Sequence, residues 1–137
     1  MIEDENVKLL REVYQSWNDS KANSVAQWMN LLADQVEWHS IADGAPGMEF
    51  SRGCCSRDEV AHYFNELGSE WEMIHYTVDE FIAQGDRVVM IGSCGWKNKR
   101  TAKEVETPKA DILRLKDSKI VEFYEFYDTA KALAASR

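Results

Sequence analysis

Residues Lys109–Thr129, KADILRLKDSKIVEFYEFYDT, decide the fold. Two β-prone runs, Lys109 to Lys116 and Lys119 to Tyr127, flank Asp117-Ser118 and read as a β-hairpin. Loop length fixes which side chains share a face, because a one-residue slip turns every side chain over. A two-residue loop, Asp117-Ser118, would set Asp111 and Glu125 on opposite faces. A three-residue loop, Lys116 to Ser118 with Ser118 in the left-handed position, places Asp111 opposite Phe123. Glu125 is then its diagonal neighbour on the same face, about 7–8 Å away. The three-residue loop sorts the residues better and is the expectation. One face then carries Asp111, Leu113, Leu115, Val121, Phe123, Glu125 and Tyr127, apolar except for two carboxylates and the tyrosine hydroxyl. The other carries Ile112, Arg114, Ile120, Glu122, Tyr124 and Phe126, and is also partly apolar. Helices can cover only one face, so the second predicts a homodimer through the sheet.

Upstream, Met73 to Ala83 and Arg87 to Lys97 flank the turn signal Gln84-Gly85-Asp86 and predict a second hairpin. The first half reads helical. Val7, Leu10, Tyr14 and Trp17 recur at helical spacing behind the acidic first turn Glu3, Asp4 and Glu5, which predicts a helix over about 4–18. Val25, Trp28, Met29 and Leu32 stripe a second helix, with Asn23 or Ser24 as its cap. A short strand over Val36 to Ile41 and a Gly/Pro-rich loop over Ala42 to Gly53 follow. Ser56-x-x-Glu59 is a capping box opening a third helix, with Val60, Tyr63, Phe64 and Leu67 on its apolar face and Gly68 as its end. A last short helix begins after Asp128 or Thr129. Segregated helices and consecutive hairpins predict one α+β domain over residues 1–137 with a mostly antiparallel sheet.

Composition narrows the function. Asp and Glu number 24 against 16 Lys and Arg, a formal charge of −8, which repels phosphate backbones and anionic membrane surfaces. Neither nucleic acid nor membrane is expected as a partner. The N-terminus MIEDENVKLL carries acid where an export signal carries positive charge. Cys54, Cys55 and Cys94 are an odd set without metal spacing, so a reduced, cytoplasmic chain is the expectation. His39, His62 and His75 lack companions at ligand spacing, and no Gly-rich phosphate loop occurs; neither metal nor cofactor is expected. Cys54-Cys55 before the helix cap at Ser56 is read as incidental, and His39 as facing away from any pocket.

Two carboxylates in an apolar concavity shift each other's proton affinity, which lets one donate a proton while the other accepts one. The competing reading is that Asp111 or Glu125 merely pairs with a buried Tyr, Trp or Lys109.

Four segments together carry a resemblance: LLADQVEWHS, SRGCCSRDEVAHYF, FIAQGDRVVMIG and DILRLKDSKIVEFYEFYDT. Along nearly its whole length the chain resembles SnoaL-like members of the nuclear-transport-factor-2-like superfamily, related to ketosteroid isomerases. The resemblance implies a cone, a strongly curved mixed or antiparallel sheet wrapped around a pocket closed by three helices. Its members include isomerases, polyketide cyclases, epoxide hydrolases and proteins with no known reaction. By this resemblance Asp111 falls where the steroid isomerase has a protonated, hydrogen-bond-donating aspartate and the polyketide cyclase a histidine. Glu125 falls where the cyclases and limonene-type epoxide hydrolases have a catalytic aspartate. Ser40 stands in place of the isomerase's general base, and Val13 in place of its oxyanion tyrosine, with Tyr14 one residue away. The strand VVMIGSCGWK lacks the Arg-x-Asp of the epoxide hydrolases.

The resulting expectation is cofactor-free proton transfer on a small, mostly apolar carbonyl compound, by isomerisation, cyclisation or hydration. Glu125 is the expected acid/base, and Asp111 the expected donor to a carbonyl oxygen. Tyr14, Trp17, Trp28, Trp38, Ser40, Tyr63, Trp96 and Phe123 are expected to line the pocket. The alternatives are a non-catalytic binder of a small hydrophobic molecule and a dimeric interaction module with a relic pocket.

Overall fold

A computed structural model describes residues 1–137. The elements run α1 (Ile2–Asp19), α2 (Val25–Leu31), β1 (Leu32–Ser40), β2 (Cys54–Ser56), α3 (Arg57–Glu70), β3 (Trp71–Gln84), β4 (Arg87–Asn98), β5 (Glu104–Lys116), β6 (Lys119–Tyr127) and α4 (Thr129–Ala135), with a 3₁₀ turn at Glu49–Ser51. The six strands form one mixed sheet in the order β2-β1-β6-β5-β4-β3. Only β1 and β6 are parallel. The sheet is curved and unclosed, and the helices pack into its concavity. Three expectations need correction: β2 is an added edge strand, β1 begins at Leu32 instead of Val36, and Gly68 lies inside α3, which runs on to Glu70.

The decisive hairpin also differs. Lys116 pairs with Lys119, so the loop is the two-residue Asp117-Ser118, and both residues take positive φ (51° and 62°). That geometry matches the right-handed twist of the flanking strands. A register shift then follows between Arg114 and Leu115, where Val121 is the extra residue of a bulge. The bulge restores what the short loop would have undone. Asp111 pairs directly with Glu125, not with Phe123, and both carboxylates still share one face. The slip moves Ile120, expected outside, to the buried face at 0% exposure, and leaves Val121 half-buried.

Curvature comes from the other hairpin. β3 bulges between Met73 and His75 and between Val78 and Glu80. Across from the second bulge, Gly92 lets β4 approach β3 so closely that a Cβ there would sit 2.0 Å from the Thr77 carbonyl oxygen.

The helix ends are satisfied by specific side chains. Ser56 Oγ accepts from the Glu59 N–H, and Glu59 accepts from the Cys55 N–H, one residue earlier than a strict capping box. At α2 the expected cap residue Ser24 makes no side-chain bond; Ser20 Oγ accepts from the Asn23 and Ser24 N–H groups instead. Asp128 caps α4 by accepting from the Lys131 N–H. The far end of α4 is held by Arg100, Thr101 and Lys103, which donate to the carbonyls of Ser136, Ala135 and Arg137 respectively. No helix is long and apolar enough to cross a membrane.

Candidate functional site

The concave face of the sheet, with α1, α2, α3 and α4, encloses a cavity of about 80 Å³. Its walls are largely aromatic, and all five tryptophans of the chain border it. The rings brace one another. Trp38 stacks on Phe123 at 3.9 Å between centroids, and Trp28 meets Trp38 nearly edge-on at 6.1 Å. Among the lining residues, Leu67, Trp96 and Tyr127 are half-buried.

Alternation along β5 and β6 puts three polar side chains into this apolar wall. Lys109, Asp111 and Leu113 share the inward face of β5, opposite Tyr127, Glu125 and Phe123 of β6. Lys109 Nζ lies 2.5 Å from Asp111 Oδ1 and 3.1 Å from Glu125 Oε1. The other carboxylate oxygens are met by phenols. Tyr14 and Tyr76 donate to Asp111 Oδ2 at 2.6 and 2.8 Å, and Tyr63 donates to Glu125 Oε2 at 2.6 Å. Asp111 is fully buried, while the Glu125 side chain keeps 9% exposure.

Electrostatics fix the proton positions of the donors. Burial alone would lower the proton affinity of Lys109, but Asp111 and Glu125 outweigh it and hold the ammonium well above its usual range. Burial, then the neighbouring carboxylate charge, pushes Tyr14, Tyr63 and Tyr76 well above the ordinary phenol range. Tyr127 is also raised, first by burial and then by Glu125. In this arrangement Asp111 accepts from three donors. That pattern differs from the expected proton-bearing donor, because all the hydrogens on its contacts come from Lys109, Tyr14 and Tyr76.

Of the residues expected to line the pocket, Trp17, Trp28, Trp38, Tyr63, Trp96 and Phe123 border the cavity, as do Asp111 and Glu125. Tyr14 and Ser40 do not. Tyr14 stands behind Asp111 in a separate cleft against β3, because its hydroxyl is directed at the carboxylate from the α1 side. Ser40 is buried beside the site, its hydroxyl 3.0 Å from that of Tyr127. Lys109 is the member of this buried cluster that sequence reasoning underweighted, having named it only as a pairing partner. Its place two residues before Asp111 on one strand face was the available signal. Tyr76 was missed because the bulges in β3 break the alternation around it.

The remaining candidates fall outside. His39 lies on the outer face against Tyr124 and Glu37. Cys54 is pushed up to about 11 by burial, and the Cys55 thiol is raised by Glu37, so neither is an activated thiolate. No three His, Cys, Asp or Glu side chains gather as a metal-binding group.

The SnoaL-like domain model matches residues 10–123. Comparison with curated proteins gives no match. Among solved structures, a nuclear-transport-factor-2-like protein from Burkholderia thailandensis E264 is similar at 26% identity with TM-score 0.81, over 96% of this chain and 97% of that one. A protein of ketosteroid isomerase-like fold from Catenulispora acidiphila, solved in complex with trimethylamine, shares 19% identity with TM-score 0.74 over 93% and 91%. A protein from Mesorhizobium loti described as a SnoaL-like polyketide cyclase shares 14% identity with TM-score 0.75 over 93% and 99%. Six curved strands around an aromatic hollow, matched by the domain model over most of the sequence, place this chain in the SnoaL-like family of the nuclear-transport-factor-2-like superfamily.

Proposed function

We propose that the protein performs cofactor-free proton transfer on a small, mostly apolar carbonyl compound, with Glu125 as the acid/base. The observation that carries this reading is the Glu125 carboxylate, set in an aromatic hollow between the Lys109 ammonium and the Tyr63 hydroxyl. Glu125 takes a proton from the carbon next to the carbonyl. The C–H electron pair passes into the enolate, and the same carboxyl returns its proton to carbon or oxygen. Returning it to a different carbon isomerises the compound. Attack of the enolate on a second carbonyl closes a ring, the proton ending on the new alkoxide. Lys109 supplies positive potential beside the developing charge, and the dry wall strengthens that interaction. Asp111, with Tyr14 and Tyr76 behind it, anchors Lys109. In this reading Asp111 positions a charge and does not itself donate to substrate.

A second reading is a non-catalytic binder of a small hydrophobic molecule. Its support is that both Glu125 oxygens already have partners, as in a satisfied buried carboxylate. The trimethylamine complex of the Catenulispora protein gives a precedent for a small organic guest on this fold.

Hydrogen–deuterium exchange next to the carbonyl separates the two. A panel of small ketones in D₂O, followed by proton NMR, should lose α-proton signal faster with the protein than with buffer. Glu125→Gln should reduce that acceleration by about 10²–10⁴-fold. Binding without accelerated exchange would leave the binder.

A further inference from the structure

Trp28 and Trp38 are 3% and 2% exposed, both border the cavity, and the indole nitrogen of each is sealed from solvent without a hydrogen-bond partner. A buried donor left unpaired is costly, so a pair of them in one cavity wall calls for an acceptor. Asn6 and Ser24 also hold unpartnered buried atoms, but neither borders the hollow.

The donors that touch the two carboxylates are committed within the protein. Tyr63 donates to Glu125, Tyr76 to Asp111, and Lys109 serves both carboxylates. Proton abstraction at a ketone places negative charge on the carbonyl oxygen, which needs donors of its own. Both indole rings pack against residues that adjoin Glu125. Trp38 pairs with Phe123 across β1 and β6, two residues from Glu125, and its ring lies 5.7 Å from that of Tyr63. Trp28 packs on both Trp38 and Phe123.

We propose that the indole N–H groups of Trp28 and Trp38 receive the carbonyl oxygen of the substrate, which is therefore a compact ketone with that oxygen directed to these two rings. This rests on the reading of the hollow as a ketone site and adds the group that recognises it. The two tryptophans take the oxygen-binding role that Asp111, already occupied, does not fill.

The test uses the ¹⁵N-labelled full chain and two probes of matched shape, cyclopentanone and methylenecyclopentane. The five indole N–H signals are assigned through Trp→Phe variants, and independently through contacts with the Phe123 and Tyr63 ring protons. Cyclopentanone should move the Trp28 and Trp38 indole protons downfield, and the hydrocarbon should not. Trp28→Phe and Trp38→Phe should each cut the preference for ketone over hydrocarbon about tenfold, while Gly68→Ala, exposed on α3 and away from the cavity, leaves it unchanged. If ketone binding perturbs other signals while those two indoles respond alike to both probes, the assignment is overturned and the ketone site stands. If neither probe moves any signal, both fall together. Should a variant not fold, the wild-type indole shifts decide alone.

Discussion

Asp111 and Glu125 are direct partners across the β5–β6 ladder, two buried carboxylates sharing one buried ammonium. Lys109 reaches Asp111 at 2.5 Å and Glu125 at 3.1 Å. Two negative charges against one positive leave an apolar hollow with a net negative cluster. Phenol hydrogen bonds are what make that arrangement stable.

Removing the cation should therefore be severe. Lys109→Met keeps much of the side-chain volume but leaves both carboxylates uncompensated. Breaking a buried pair in this way costs about 3–5 kcal/mol. Urea unfolding at neutral pH should show that loss. Adding Asp111→Asn should recover part of the deficit, because it removes one of the two facing carboxylates. An equal deficit in the single and double variants would mean that the lost packing of the stem, not the charge, was responsible.

Alkaline behaviour follows from the same cluster. Lys109 and the hydroxyls of Tyr14, Tyr63, Tyr76 and Tyr127 are all held above their ordinary values in the folded chain. The reference values are 10.5 for the lysine and 10.0 for the tyrosines. Above those values the unfolded chain releases protons that the folded chain keeps, so stability falls as pH rises. Below them the contribution is complete. Ultraviolet titration of phenolate should show these four tyrosines ionising together with the loss of circular dichroism. With the exposed Tyr124 replaced by Phe, phenolate absorbance growing in a fully folded chain would contradict the burial.

Tyr14 and Tyr76, whose rings stack with centroids 5.8 Å apart, share one acceptor oxygen, Asp111 Oδ2. Tyr14→Phe preserves the ring and deletes one donor to a charged group, which should cost roughly 1.5–3 kcal/mol. Tyr14 does not border the cavity, so ligand affinity should hold in this variant. Combining it with Tyr76→Phe should exceed the sum of the singles, because the carboxylate then keeps only Lys109. Calorimetric unfolding of the four forms closes the cycle.

Much of the architecture was legible from local patterns. The helical stripes of α1 and α3, the Ser56 cap, the two hairpins and the common face of Asp111 and Glu125 all follow from periodicity and turn chemistry. The register did not. Loop length and bulge position compensate each other between Leu115 and Phe123, and a face argument sees only their sum. The site was legible as carboxylates and aromatics, because those residue types are conspicuous in sequence. Lys109 was less so, since an isolated lysine on a strand usually snorkels to solvent, and only the tertiary fold shows that it cannot. Tyr14 kept its importance but changed its place, because helical phase one residue off a familiar position cannot say which side of Asp111 the hydroxyl will reach.

The outer face of the sheet remains the basis for a proposed pairing of two copies. Ile112 and Tyr124 keep 38% and 40% exposure there, and Tyr124 stacks on Phe126 at 4.7 Å. Sedimentation should give a dimer for the parent chain. Ile112→Lys with Tyr124→Glu should give a folded monomer, since neither side chain belongs to the core. A monomeric parent would remove the proposal.

Two glycines predict opposite outcomes for the same substitution. Gly92→Ala drives a Cβ to within 2.0 Å of the Thr77 carbonyl oxygen, and the obstacle is backbone that no rotamer change can move. Either β4 withdraws from the β3 bulge or the bulge flattens, at a cost of about 1–3 kcal/mol for overpacking. The displacement runs along β4 toward Cys94 and Trp96, which border the hollow, so ligand affinity should fall with stability. Gly68→Ala is the control. It lies within α3, with nothing within 4 Å of the added carbon. Replacing an exposed helical glycine by alanine should stabilise by roughly 0.5–1 kcal/mol, and α3 should hold its pocket face unchanged. Thermal melts and one ligand titration on each variant check both halves. A harmless Gly92→Ala would mean that curvature of the sheet does not depend on this close approach.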